Sequence, residues 1–362
     1  MDIVRRKSKV VKAGGVLIGG VNPVVIQSMT KTRTSDVENT VIQINQLKDA
    51  GCQIVRLAIN DFEDAAALKR IKAKVKLPLV ADIHFDWRLA IAAIDNGADK
   101  IRLNPGNIYK KEQVASVVSA LKAAGIPLRI GLNSGSVKEA GPRKSLMSDK
   151  MVSACLSYVK MVEGFKFNDI VISLKANNVL DTIEAYRKIS KACSYPLHLG
   201  LTATGSVYGG IIKSSVALGA LLLEGIGDTI RVSLTEKPVE EVRAAKCILE
   251  SLSLRNFGPQ IISCPTCGRC KVNLVGIVKE LEQKLSVIDY KQFNRPVKLA
   301  IMGCVVNGPG EAKEADMGVA FGKNEGVLFR HGRISGKIAP GDCVRAILKE
   351  LKTKEKTWHI KR

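Results

Sequence analysis

Over the first 250 or so residues, short apolar runs alternate with longer stretches in which apolar residues recur every three or four positions. The short runs suit strands covered on both faces, and the 3.6-residue period suits helices lying against them. Val24–Met29, Gln53–Ile59, Pro78–His84, Asp99–Leu103, Pro127–Asn133, Asp169–Lys175, Pro196–Thr202 and Asp228–Leu234 read as eight strands. Between them, Thr34-Ser35-Asp36 opens a helix as a cap. Ala50-Gly51, Asn96-Gly97, Ala124-Gly125 and Ile226-Gly227 close helices with left-handed stops. Strands alternating with helices pair in parallel through crossovers. Eight such units in about 250 residues predict an α/β fold of the (β/α)8 type, the TIM barrel. A doubly wound open sheet is disfavoured because no G-x-G-x-x-G follows the first strand.

Near Leu252–Ile262 the repeat stops. Beyond it a helix (Val272–Leu285), strands (Val297–Met302, Met317–Phe321, Gly326–His331), a glycine-rich loop (Gly303–Glu311) and a final helix (Gly341–Lys352) make a compact α+β module. The expected organisation is a barrel over 1–252, a hinge over 253–262 and a second domain over 263–362.

Five cations interrupt apolar strands: Arg56, Arg102, Arg129, Lys175 and Arg231. Both faces of a barrel strand are covered, so such charges point into the central mouth or are buried. Internal pairing fails on count, because Asp82 is the clear acid at a comparable position. Unpaired buried charges cost several kcal/mol each, so an external polyanion is the economical explanation. Arginine's planar fork suits phosphate oxygens. Gln27, His84, Asn104, Asn133, His198 and Ser233 lie at the same strand ends, and Thr202–Gly210 is a glycine-rich loop where barrels commonly hold phosphate.

Composition narrows the classes. The 362 residues carry 56 Lys and Arg against 34 Asp and Glu, a net charge of +22. Nucleic acid is one partner class for such charge, yet aromatics are only 4%, leaving few stacking platforms. A small phosphorylated substrate or an acidic protein fits as well. The longest apolar stretches, such as Val216–Leu223, fall well short of the ~20 residues of a membrane span. The basic start precedes only a short, glycine-interrupted apolar piece, Val16–Val21, and no signal peptide is expected. Nine cysteines, an odd number with five in the last 100 residues, point to a cytoplasmic protein with thiols available for metal.

Cys264-Pro-Thr-Cys267 is a C-x2-C pair, but no second pair follows to complete a zinc site. A ferredoxin run would need a cysteine at position 274, which is Leu274. Met302-Gly-Cys304-Val-Val-Asn-Gly-Pro-Gly-Glu311 brings one cysteine and one carboxylate on a glycine-rich frame. Together with Gln27–Thr30, Ala81–Phe85, Lys100–Asn107 and Gly227–Leu234, these motifs resemble the 4-hydroxy-3-methylbut-2-enyl diphosphate synthase family of the methylerythritol phosphate route to isoprenoids, over essentially the whole chain.

The resemblance implies a TIM barrel followed by a sulfite-reductase-like α+β iron–sulphur domain. It implies a 4Fe–4S cluster held by Cys264, Cys267, Cys304 and Glu311, the carboxylate being the more easily displaced ligand. The implied reaction is reductive ring opening and dehydration of 2-C-methyl-D-erythritol 2,4-cyclodiphosphate. Arg56, Asp82, Arg102, Arg129, Asn133, Lys175, Arg231 and Ser233 fall on substrate-binding positions. Reduced flavodoxin or ferredoxin would be the electron donor, and the chain a homodimer whose active site is shared between chains, with no nucleic acid or membrane partner. One departure stands out. The family usually has Thr-Glu-Ala-Gly where this chain has Thr202-Ala203-Thr204-Gly205, leaving Thr202, Thr204, His198 or water in place of that carboxylate. Glu311 and His198 are the catalytic candidates, and Cys270 is an extra thiol beside filled ligand positions. The competing readings are a basic nucleic-acid-binding protein with structural zinc, and a barrel transferase of the pteridine-binding type.

Overall fold

Each βα unit of the first 250 residues carries local signals that agree with its neighbours. Asp36, Asp61, Asp86 and Asn178 sit at helix starts, each accepting a hydrogen bond from a first-turn N–H. Gly51 and Gly125 close two helices in the left-handed conformation, at φ 102° and 64°. The computed structural model describes residues 3–137, 145–285, 297–306 and 308–353. It contains two compact units, Met1–Arg255 and Asn256–Arg362.

The first unit opens with a hairpin, β1 (Val11–Ala13) and β2 (Val16–Ile18), turned at Gly14-Gly15. The repeating strands follow as β3 (Val25–Met29), β4 (Ile54–Ile59), β5 (Leu79–Ile83), β6 (Lys100–Leu103), β7 (Leu128–Asn133), β8 (Ile170–Lys175), β9 (His198–Leu199) and β10 (Thr229–Ile230). Helices α1 (Val37–Ala50), α2 (Phe62–Lys74), α3 (Trp87–Asp95), α4 (Lys111–Ala124), α5 (Met147–Gly164), α6 (Val179–Ala192), α7 (Val207–Leu223) and α8 (Pro238–Ser251) alternate with them. All eight strands pair in parallel in the order β8-β7-β6-β5-β4-β3-β10-β9. A parallel bridge from Ile172 to Leu197 joins the two ends and closes the barrel. All eight expected strands are present. The last two pair regularly over only two residues, because Asp228 takes over part of the ladder by accepting the Leu197 N–H at 2.8 Å.

Val25, Ile54 and Val80, at the starts of three barrel strands, pack with Ala13 and Ile18 of the hairpin. The hairpin is therefore an apolar plug beneath the barrel, and the mouth at the strand C-terminal ends is the place for chemistry.

In the second unit, β11 (Gln260–Ser263), β12 (Lys298–Met302), β13 (Met317–Phe321), β14 (Gly326–Arg330) and β15 (Arg333–Ile338) form one sheet in chain order. The first three are parallel and the rest antiparallel. Strand alternation sorts its core. Leu299, Ile301, Val319 and Phe321 meet α9 (Leu274–Leu285) and α11 (Cys343–Thr353), while Ala300, Met302 and Ala320 meet Ala312 of α10 (Gly308–Glu314). Residues 260–262, placed in the hinge from the sequence, belong to β11. The end of the glycine-rich loop is helical instead: Pro309 in a first turn needs no N–H donor, and Gly318 lets the helix backbone approach β13 closely.

Candidate active site

Barrel register decides which side chains share the interior, because paired residues of parallel strands point the same way. Arg56 pairs with Val80, Asp82 with Arg102, Arg102 with Arg129, and Asn133 with Lys175. His198 pairs with Thr229, and Arg231 lies two residues further along. All five cations singled out in the sequence thus face one lumen. The same alternation adds a sixth, Lys100, two residues before Arg102 on β6.

Two carboxylates meet this charge. Asp82 accepts from Arg102 Nη1 at 2.9 Å and lies 3.6 Å from Arg56 Nε. Against burial, which raises it, first Arg56 and then Arg102 hold the Asp82 carboxyl well below its usual range. The second is Glu241 of α8, 1% exposed, which clamps Arg231 through Nη2 at 2.9 Å and Nε at 3.1 Å. Glu241 also accepts from the Ser28 hydroxyl and the Leu234 N–H. Counting only strand acids missed it. The signal was the buried helix face formed by Pro238, Glu241, Val242 and Ala245.

Arg129 and Lys175 are left over. Arg129 is 1% exposed, and its Nε and Nη1 have no hydrogen-bond partner among the described residues. Lys175 Nζ is likewise unpartnered. Burial first, then the neighbouring cations, pushes both groups well below their ordinary values. Two glycines make room for lumen cations: a Cβ on Gly131 would stand 2.6 Å from Arg102 Nε, and one on Gly200 2.6 Å from Lys175 Nζ. Gln27 offers a buried amide with neither end satisfied among the described residues. Such a constellation of donors matches a buried anion with several oxygens.

His198 is fully buried, with Nδ1 2.6 Å from the Thr229 hydroxyl and Nε2 unpartnered. Burial first, then Lys175 and Arg129, keeps the imidazole neutral. Asn133 is half-buried at the end of β7. The Ser233 hydroxyl donates to the Leu201 carbonyl at 3.1 Å. In the departing loop Ala203 is exposed at φ 52°, and the buried Thr204 hydroxyl is taken by the Ser233 carbonyl.

In the second unit, β11 and β12 are parallel neighbours, and Cys264 and Cys304 follow their C-terminal ends. The Gly303 N–H donates to Cys264 Sγ at 3.3 Å. Cys267 is exposed on the next turn, where the Arg269 backbone N–H lowers its thiol from the ordinary value. Glu311 is exposed in the first turn of α10. Asn307 of this motif lies outside the described residues. No group of three His, Cys, Asp or Glu residues among the described ones is placed to hold a single metal ion. Three thiols outside any disulfide, on the turns after β11 and β12, and one carboxylate in the first turn of α10 have the donor chemistry of an iron–sulphur cluster, whose irons each take one ligand.

The profile of the GcpE TIM-barrel domain matches residues 8–246, and that of the GcpE protein C-terminal domain matches residues 260–353. The chain belongs to the GcpE family. Its relatives include the 4-hydroxy-3-methylbut-2-en-1-yl diphosphate synthase (flavodoxin) of Fusobacterium nucleatum, 50% identical over 96% of this chain and 97% of that protein. The enzyme of the same name from Ruminiclostridium cellulolyticum is 52% identical over 96% of this chain and 98% of its own. GcpE enzymes are 4Fe–4S oxidoreductases of the methylerythritol phosphate pathway. Among solved structures, dihydropteroate synthase from Stenotrophomonas maltophilia superposes with a TM-score of 0.53 at 13% identity, covering 69% of this chain and all of that one. That likeness shows the barrel alone. The GcpE family match decides against the pteridine-binding transferase reading, and no described helix is long and apolar enough to cross a membrane.

Proposed function

We propose that the barrel lumen holds the two phosphates of 2-C-methyl-D-erythritol 2,4-cyclodiphosphate, and that Arg129 and Lys175 are their principal partners. One observation carries this reading: Arg129 Nε and Nη1 and Lys175 Nζ are buried without a hydrogen-bond partner among the described residues, inside a lumen whose carboxylates are already committed to Arg56, Arg102 and Arg231. A diphosphate supplies the missing acceptors, and each charge-assisted bond contributes about 1.5–3 kcal/mol.

The remaining residues have separable tasks. Asp82 and Glu241 fix the guanidinium planes of Arg102 and Arg231, so substrate meets donors already oriented. Asn133 and Ser233 stand at the mouth, where they bind the same diphosphate. His198, neutral and held by Thr229, orients a substrate oxygen through Nε2 as a hydrogen-bonding group. Gly131 and Gly200 keep the cations extended into the lumen.

Cys264, Cys267, Cys304 and Glu311 would hold the 4Fe–4S cluster. Bound there, the cluster supplies the two electrons that opening the ring and losing water require. Glu311, a carboxylate among thiolates, is the ligand suited to yield its place. Flavodoxin, named with the relatives, is the donor, and its acidic surface suits a chain of net charge +22. The protein works in the cytoplasm as a homodimer in which the second unit of one chain serves the barrel of its partner. The two working domains meet at a hinge within 253–259, ahead of β11.

The test is an anaerobic assay of the reconstituted protein with the cyclodiphosphate and reduced flavodoxin, followed by phosphorus NMR. Conversion to the linear allylic diphosphate supports the reading. A loaded protein that leaves the cyclodiphosphate intact refutes it.

A further inference from the structure

Lys100 has no place in this account, yet it is among the most buried charged residues of the barrel, with no exposed surface. It pairs in register with Val80, which belongs to the apolar layer sealed from below by the hairpin. A fourth apolar side chain would suit that layer. Instead an amine lies there with no hydrogen-bond partner among the described residues. The side chain cannot reach water through the plug, so its amine ends beneath the cation cluster.

The charges that act on it most are of one sign. Arg129 on β7 and Arg56 on β4 are the cations that act on it most. Across the lumen, β9 brings the neutral His198, while Lys175 on β8 and Arg231 just beyond β10 add further positive charge. On its own strand Arg102 lies two residues above, bound to Asp82 of β5, and β3 contributes only the neutral Gln27. Burial first, then Arg129 and Arg56, lowers its ammonium to about 7, so near neutral pH the amine is balanced between its two forms.

We infer that Lys100 is a proton-linked counter-charge for the bound anion: its amine takes a proton from solvent through the open mouth as a diphosphate enters the lumen, and returns it when the lumen empties. The electrostatics follow from the cluster. Empty, the lumen is crowded with cations, and neutral Lys100 relieves the repulsion. Two negative charges offset most of that positive field, and a protonated Lys100 then costs less and adds to the attraction for the anion. The inference rests on the proposed occupancy of the lumen by the cyclodiphosphate. That ligand is a clean probe, because each of its phosphorus atoms carries one ester and one anhydride linkage, leaving a single strongly acidic ionisation. Proton uptake between pH 6 and 9 therefore belongs to the protein.

The experiment is titration calorimetry of the oxidised holoprotein with the cyclodiphosphate, without reductant, in buffers of differing ionisation enthalpy. At pH 8.5 the wild type should take up close to one proton more than Lys100→Met, and at pH 6 the difference should vanish. The wild-type Kd should also rise up to tenfold per pH unit above pH 7, with a shallower rise in the variant. Equal uptake in the two proteins at pH 8.5 assigns the proton to another group and overturns the inference while leaving the site intact. No uptake by the wild type at pH 8.5 overturns it without any variant, which covers the case of a misfolded Lys100→Met. No binding at all overturns the proposed site and this inference with it.

Discussion

Replacing Arg129 with methionine separates a binding charge from a structural one. If Arg129 is a buried cation waiting for a ligand, its removal relieves the empty protein of an uncompensated charge. Exchanging buried ionic groups for apolar ones of similar size stabilises by about 1–4 kcal/mol. Packing lost with the longer arginine stem offsets part of this, leaving an expected gain of about 1–3 kcal/mol. For a unit of this size each kcal/mol moves the midpoint about 2–4 °C, so the ligand-free variant should melt about 2–12 °C higher. Binding should move the other way. Loss of charge-assisted bonds worth about 1.5–3 kcal/mol weakens the cyclodiphosphate about 10- to 150-fold. The assay is anaerobic thermal denaturation followed by circular dichroism, paired with calorimetric titration of the oxidised holoprotein. A variant that melts lower and binds substrate unchanged would show that Arg129 has a structural partner, and the excess-charge reasoning would fail.

Glu241→Gln should be far more damaging to stability, by about 3–5 kcal/mol, because it strips Arg231 of its buried partner; urea denaturation of ligand-free protein measures it. Cys304→Ser should lose the visible absorption of the cluster, whereas Glu311→Ala should keep most of the iron and lose turnover. Full turnover by Glu311→Ala would reject the displaceable ligand. Lys100 also gives a pH signature in the empty protein. Its folded value of about 7 lies below the roughly 10.4 of an unfolded lysine, so the unfolded chain binds the extra proton between these limits. Stability should therefore rise with pH from 7 towards 10 in urea titrations, and Lys100→Met should flatten that part of the profile.

Much of the barrel was legible because each unit repeats the same local signals: an apolar run, a cap such as Asp36, a glycine stop such as Gly51. The β1–β2 hairpin was missed although Val-Lys-Ala-Gly-Gly-Val-Leu-Ile has the alternation and double glycine of a tight turn. The exposed edge strand β15 was missed because its residues are mostly polar and it buries little. At the site, the strand cations were readable from charge in apolar context. Lys100 stood in the same context but went unread, since it opens its strand. Glu241 needed tertiary information: only the closed barrel brings α8 against Arg231 and Ser28. The cysteine motifs were explicit in the sequence, because a C-x2-C pair and a lone cysteine on a glycine-rich frame are read from residue type and spacing without tertiary information.

The central claim is that the unpartnered lumen cations hold the diphosphate. Anaerobic crystallography of the oxidised holoprotein with the cyclodiphosphate tests it most directly. Phosphate oxygens should lie within hydrogen-bonding distance of the Arg129 guanidinium and Lys175 Nζ. A diphosphate bound elsewhere, with those nitrogens still unpartnered in the barrel, would contradict it.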